Sequence, residues 1–242
     1  MRIRGERECK DCGARWSYYE TGSVACPECE SLHSVGVDER TQHTNGAADL
    51  DLTEVRNAVD ADPLPRVADA AKDACRAYVR RRGFIHEGEL RRLDDEYLAA
   101  AELMHAADLV GRAMQPDDAE RLYFVSLVGG ADEGDRPDPA DVPDSMREAR
   151  GLAYADAVRE YYGELRDWEG TDLDDPARSV LDRMDAHVRR LRGLQGNVDP
   201  ETAERLVTVA RELHAYVTDG DEDALARASD RLDRLDEPES VD

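Results

Sequence analysis

Along most of this 242-residue chain the apolar positions recur at steps of three and four, the spacing that lines one face of a helix. The clearest stripe is Leu93, Tyr97, Ala100, Met104, Ala107, Gly111 and Met114. Ahead of it, Asp51-Leu52-Thr53 caps a short helix through Val59, and Pro63-Leu64-Pro65 starts a longer one that closes near Gly83. After it, Pro116-Asp117-Asp118 opens a helix carrying Leu122, Val125 and Val128. A long helix then places Ala149, Ala153, Ala157, Tyr161, Leu165 and Trp168 on one face. Asp175-Pro176 and Asp199-Pro200 each read as an N-cap followed by proline at the first helical position. Leu225, Ala228, Leu232 and Leu235 mark the last helix.

The first forty residues break this period. Ala14 to Glu20 is rich in aromatic residues, and Leu32, Val35 and Val37 alternate with polar ones, so short strands are expected there. The predicted organisation is a β unit over 1–40, a linker over 41–50 and a helical segment over 51–129. A flexible connection over 130–143, a second helical segment over 144–236 and an acidic tail over 237–242 follow. No repeat near 34 residues appears, so an irregular bundle or helical-hairpin array is expected rather than a regular solenoid.

Charge changes the picture. The net charge is −24, of which residues 1–45 carry only −2, from six basic and eight acidic side chains. Only Lys10 and Lys72 are lysines, and aspartate outnumbers glutamate. Such a surface stays hydrated in concentrated salt, where self-repulsion is screened, so a halophilic cytosol is the expected setting. The balance argues against the molecule as a whole binding nucleic acid. Met1 to Glu6 has no apolar run behind its charges, and no stretch approaches the ~20 apolar residues that span a bilayer. A cytoplasmic protein without a membrane partner is expected.

The candidate chemistry lies at the start. Cys9-Lys10-Asp11-Cys12 and Cys26-Pro27-Glu28-Cys29 are two Cys-x-x-Cys pairs with the ligand spacing of a four-thiolate metal site. Gly13 supplies a position tolerant of positive φ after the first pair, and Pro27 presets a tight turn in the second. Four thiolates close a tetrahedron and leave no open catalytic position, so one structural Zn2+ is expected, with iron as the rival ion for the same ligands. The fifth cysteine, Cys75, sits at helical spacing from Ala71 and Tyr78 and reads as a small buried apolar residue.

With these knuckles, residues 1 to about 40 resemble a zinc ribbon of the transcription factor B or rubredoxin-like kind. Cys9, Cys12, Cys26 and Cys29 take the ligand positions, and Gly13 and Pro27 the knuckle positions. Glu30 departs from the pattern, which usually has glycine there. Together with the acidic helical remainder, the chain resembles a haloarchaeal group of zinc-ribbon proteins. That resemblance implies a structural metal and an archaeal cytosol, and no activity.

Elsewhere the motifs fall short of a reaction. His86-Glu87-Gly88-Glu89-Leu90 lacks the second histidine of a zinc-protease helix and reads as a loop. Glu102 and His105 have the spacing used in di-iron bundles, without a second copy. His187 and His214 read as structural. Arg76, Arg80, Arg81 and Arg82, with Arg91 and Arg92, form the one strongly basic helical stretch, read mainly as a solvated face. The expectation is therefore a non-enzymatic adaptor whose ribbon contacts a protein partner. Its candidate contact residues are Trp16, Tyr18, Tyr19, Arg2, Arg4 and Arg15. A nucleic-acid- or ribosome-associated ribbon is the alternative, and a helical carboxylate–metal enzyme a more distant third.

Overall fold

The computed structural model describes residues 1–168, 170 and 172–237. All but the first residue of the expected acidic tail lies outside the described residues. The fold is mostly helical, with a few small sheets and a cluster of four cysteines near the N-terminus, an arrangement compatible with a zinc ribbon followed by a helical array. Strands β2 (Glu6–Cys9), β3 (Arg15–Ser17) and β4 (Ser34–Gly36) form an antiparallel sheet in the order β3-β2-β4. Arg7 stands opposite both Trp16 and Gly36, and Glu8 opposite Arg15 and Val35, so these two sets occupy opposite faces. β1 (Arg2–Ile3) pairs with β5 (Thr41–Gln42). The expected strand over 14–20 is shorter than its composition suggests. After Ser17 the chain turns into one helical turn, α1 (Tyr18–Thr21), closed by Gly22 in the left-handed region.

Residues 41–50 do not behave as a free linker. Thr44 and Asn45 N–H both donate to Ile85 O, Gly46 N–H donates to Arg81 O, and His43, Asn45 and Leu50 are buried. Main-chain groups that bond to the body hold this polar stretch in place without any apolar periodicity.

The body begins with α2 (Thr53–Ala58) and α3 (Leu64–Arg81). A hairpin of β6 (Ile85–His86) and β7 (Glu89–Leu90) follows, where a loop is expected. Its two turn residues, Glu87 and Gly88, both have positive φ, which matches the right-handed twist of the flanking strands. Next come α4 (Asp95–Arg112), α5 (Asp118–Gly130), α6 (Arg147–Asp167), α7 (Asp175–Gly193), α8 (Pro200–Asp219) and α9 (Glu222–Asp236). Caps fix their starts: Asp94 accepts from Tyr97 N–H, and Asp117 forms a reciprocal box with Glu120. The cap of α7 is Asp174, which accepts from Ala177 N–H at 2.9 Å, one residue before the expected Asp175.

α4 is the central helix, packed against α3, α5 and α6, while α6 lies on α7 and α8, and α9 on α8. Two stripes turn out differently from expectation. Met114 lies beyond the end of α4 and Leu122 on the outer face of α5, both exposed, while Tyr123, Phe124 and Leu127 go inward. The expected flexible connection is ordered by single turns of 3-10 helix at Ala131–Glu133, Pro139–Asp141 and Asp144–Met146. Ala131 and Val142 are buried there, with Met146 just after it, so the segment does contribute to the core. One apolar cluster runs from Leu50 to Leu235 across both helical segments, and they form one core rather than two halves. At Gly151 the backbone of α6 passes so close to Gly196 that a Cβ would collide with its carbonyl.

Beneath this core lies an ionic network. Glu102 on α4 and Arg150 on α6 are both fully buried and joined at 2.8 Å. Tyr154 O–H donates to the other Glu102 oxygen at 2.8 Å, and Tyr123 O–H also bonds this carboxylate. Arg150 further donates to Pro137 O at 2.6 Å, while Arg136 reaches Asp95 at 2.7 Å and Glu204 at 3.3 Å. The segment before α6 is thereby tied to α4 and α8.

Candidate metal centre

Two turns of the same design bring the cysteines together. In the first, Cys9 N–H donates to Ala14 O and Gly13 N–H donates to Cys9 O. In the second, Cys26 N–H donates to Ser31 O and Glu30 N–H donates to Cys26 O. Each turn needs a left-handed residue at the fourth position after its first cysteine. Gly13 has φ +77° and Glu30 has φ +58°, so Glu30 adopts the conformation that a glycine would take more easily.

The ligand atoms of Cys9, Cys12, Cys26 and Cys29 all lie within 4.8 Å of one another and could hold one metal ion. Cys9 Sγ is 3.7 Å from Cys29 Sγ, and Cys12 Sγ is 3.5 Å from Cys26 Sγ. Cys9 and Cys26 are buried, whereas Cys12 and Cys29 are exposed. The backbone N–H of Cys12, with that of Asp11, lowers the Cys9 thiol to about 7. The Ser31 N–H acts on Cys29 in the same sense, but the crowding of Cys12, Cys26 and Cys9 around it, together with burial, pushes Cys29 up to about 12. Four thiols this close resist joint ionisation, and a cation among them removes that resistance. Among the described residues this is the one group of three or more Cys, His, Asp or Glu with metal-ligand spacing.

The aromatic residues expected at the surface are distributed differently. Trp16 is only 7% exposed, packs with Cys9 and Cys26, and donates its Nε1–H to Ser23 O at 3.0 Å. Tyr19 is 6% exposed, and its hydroxyl is 2.5 Å from Thr41 Oγ1. Trp16 fills the ribbon's small core, and Tyr19 lies against His43 and His86 where the ribbon meets the body, so little of either ring is open at the surface. Tyr18 is half-buried, while Arg2, Arg4 and Arg15 are exposed. Arg15 pairs with Glu8 on one sheet face, whereas Arg2 and Arg4 meet Arg7 and Arg40 around a separate cleft. Arg7 and Arg40 escape sequence reasoning because it takes the pairing of β2 with β4 and of β1 with β5 to bring them together. The exposed apolar side chains of this unit are Met1, Val24, Leu32, Val35 and Val37.

The helical candidates separate. Glu102 lies in the buried network, whereas His105 lines a cleft of about 380 Å³ between α3, α4 and α6, with Phe84 and Tyr97 also lining it. His105 Nε2 is 3.9 Å from Asp156 there, and burial lowers the histidine's pKa despite that neighbour. Arg80 and Arg81 lie at the rim, Arg82 is held by Asn45 and Asp94, and Arg76 pairs with Asp73. His187 is buried against Asp236 at 3.1 Å, and His214 Nδ1 is 2.8 Å from the Tyr161 hydroxyl. Cys75 is fully buried, which pushes its thiol up to about 12. Among the described residues, no helix is long and apolar enough to cross a membrane.

No curated protein and no solved structure matches the chain. A family description does match, across residues 1–232, and the chain therefore belongs to the family of unknown function DUF7117.

Proposed function

We propose that this protein is a non-enzymatic adaptor of a salt-rich cytosol, in which one zinc ion holds an N-terminal ribbon that contacts a protein partner. The observation that carries the metal is the sulfur geometry. Sulfurs ~2.3 Å from a central zinc in a tetrahedron stand ~3.8 Å apart, close to the 3.7 and 3.5 Å separations across the two knuckles. Four thiolates complete the coordination, so the ion serves structure rather than catalysis. What supports the contact role is the concentration of exposed apolar side chains on the ribbon, with Leu32 70% exposed and Val24, Val35 and Val37 also exposed. The much larger helical body has Met114, Leu122 and Leu194 as its exposed large apolar side chains among the described residues and otherwise presents charge.

The test has two parts. Elemental analysis should find one zinc per chain, lost when Cys9 and Cys12 are both changed to Ser. Affinity recovery in high salt should then yield a defined protein that Leu32→Asp with Val35→Asp abolishes while zinc content stays at one per chain. Recovery of RNA or DNA that survives molar salt and depends on Arg2, Arg4 and Arg15 would replace this reading with a nucleic-acid role.

A further inference from the structure

The cleft around Arg2, Arg4, Arg7 and Arg40 is an exception in so acidic a molecule. Its volume is about 430 Å³, Tyr18 and Val24 complete its walls, and no aspartate or glutamate lines it. Arg4 donates to the backbone carbonyl of Asp38 at 2.6 Å. Arg7 donates to the Ser34 hydroxyl at 2.9 and 3.0 Å. Among the described residues no carboxylate pairs with Arg4, Arg7 or Arg40, although acidic side chains number 56 in the chain. Three guanidinium groups that have neutral partners or none are thus collected on one side of the sheet.

The same cleft meets the outer edge of a strand at Gly36. β4 is an edge of its sheet. The bonds from Lys10 N–H to His33 O and from Val37 N–H to Glu6 O set the alternation, which aims the Ser34 and Gly36 N–H and C=O away from β2; Leu32 O and Arg7 already hold those of Ser34, and those of Gly36 remain for a partner. Gly36 also lines the cleft, and a Cβ there would strike the Arg4 stem, so glycine lets Arg4 lie across the strand.

From this juxtaposition we infer that the cleft is the docking site for a short, extended acidic segment of a protein partner. Its backbone pairs with Gly36 at the edge of β4, and its carboxylates meet Arg4, Arg7 and Arg40. Strand addition supplies main-chain hydrogen bonds, and the guanidinium fork matches a carboxylate in a bidentate manner. Nucleic acid fits less well, because it has no backbone N–H and C=O to pair with those of Gly36. The inference rests on the reading of the ribbon as a protein-contact module and names the chemistry of what it contacts.

The experiment is a fluorescence anisotropy titration of the zinc-loaded full chain with labelled eight-residue probes. The probes are an Asp/Glu-rich peptide, the same peptide N-methylated at alternate residues, its lysine counterpart and a single-stranded oligonucleotide. The acidic peptide should bind, at least tenfold more weakly to the Arg4→Ala, Arg40→Ala double variant, whose zinc content should be unchanged. N-methylation should weaken binding by a similar factor, and the lysine peptide should not bind. Tighter binding of the oligonucleotide, indifference to the arginine changes, or equal binding of the N-methylated peptide would each overturn the proposal. If the partner of the adaptor test is still recovered by Arg4→Ala, Arg40→Ala but lost on Leu32→Asp with Val35→Asp, the adaptor reading stands and the cleft proposal falls.

Discussion

At the level of single residues, His43 shows how the ribbon meets the body. Its ring is buried, 4.6 Å from the Tyr19 ring and 5.1 Å from that of His86, and its carbonyl accepts from the Met1 ammonium. Burial, followed by the nearby His86, lowers its pKa to about 4 from an ordinary 6.5. Between those values the unfolded chain holds a proton that the folded chain refuses, so stability falls as pH drops from 6.5 to 4. The loss from this one group reaches about 3 kcal/mol at the acid end. Urea unfolding of the wild type and His43→Phe at pH 7 and pH 4.5 isolates the effect. The wild type should lose more stability than the variant, and parallel losses would mean that His43 is open to water in the folded state. The four cysteines and the departure at Glu30 were legible in sequence, because ligand spacing and knuckle turns are local. The burial of Trp16 and Tyr19 was not, since it depends on the sheet and on the packing against Cys9, Cys26 and Thr41. An aromatic residue in a forty-residue unit is core material before it is surface.

Among the elements, the helices were legible because each carries its own period and its own cap, as Asp117 with Glu120 in α5 and Asp199 in α8 illustrate. The hairpin at Ile85–Leu90 was missed because its strands are two residues long and its Glu-Gly turn lies inside a string of charges. The segment over 130–143 was misread for a different reason. Its order comes from Arg136 and the Pro137 carbonyl bonding to distant helices, which no local pattern encodes. That network yields a prediction at this scale. Arg150→Ala leaves Glu102 as an unpaired charge in a site that water does not reach, at a cost of about 3–5 kcal/mol. Replacing the pair together, Glu102→Leu with Arg150→Met, removes both charges and should recover much of that loss, with Tyr123 and Tyr154 limiting the gain. Chemical denaturation of the three chains measures this, and an Arg150→Ala cost below about 1 kcal/mol would mean that solvent replaces the guanidinium.

For the molecule as a whole, two cores of very different size govern what metal removal does. The body buries a continuous apolar cluster from Leu50 to Leu235, and none of its members belongs to the ribbon. The ribbon's own cluster is Cys9, Trp16 and Cys26 with Ala14 against them, so two of its four members are thiols of the metal site. A core this small does not offset the chain entropy of forty residues, and the ion must supply the difference. Chelation should therefore unfold residues 1 to about 40 and leave the helices intact. The two tryptophans report on the two parts separately. Trp16 sits in the ribbon core, while Trp168 ends α6 and donates to Gly88 O at 2.7 Å in the body. In a Trp168→Phe chain, chelator should shift the remaining tryptophan emission to the red while the circular dichroism at 222 nm stays nearly constant. In a Trp16→Phe chain the emission should not move. The contacts of His43, Thr44 and Gln42 with the hairpin and α6 are the route by which loss of the ribbon could reach the body. Emission from Trp168 that shifts together with a cooperative loss of helicity would show that this junction, and not the separation of the cores, sets the stability of the chain.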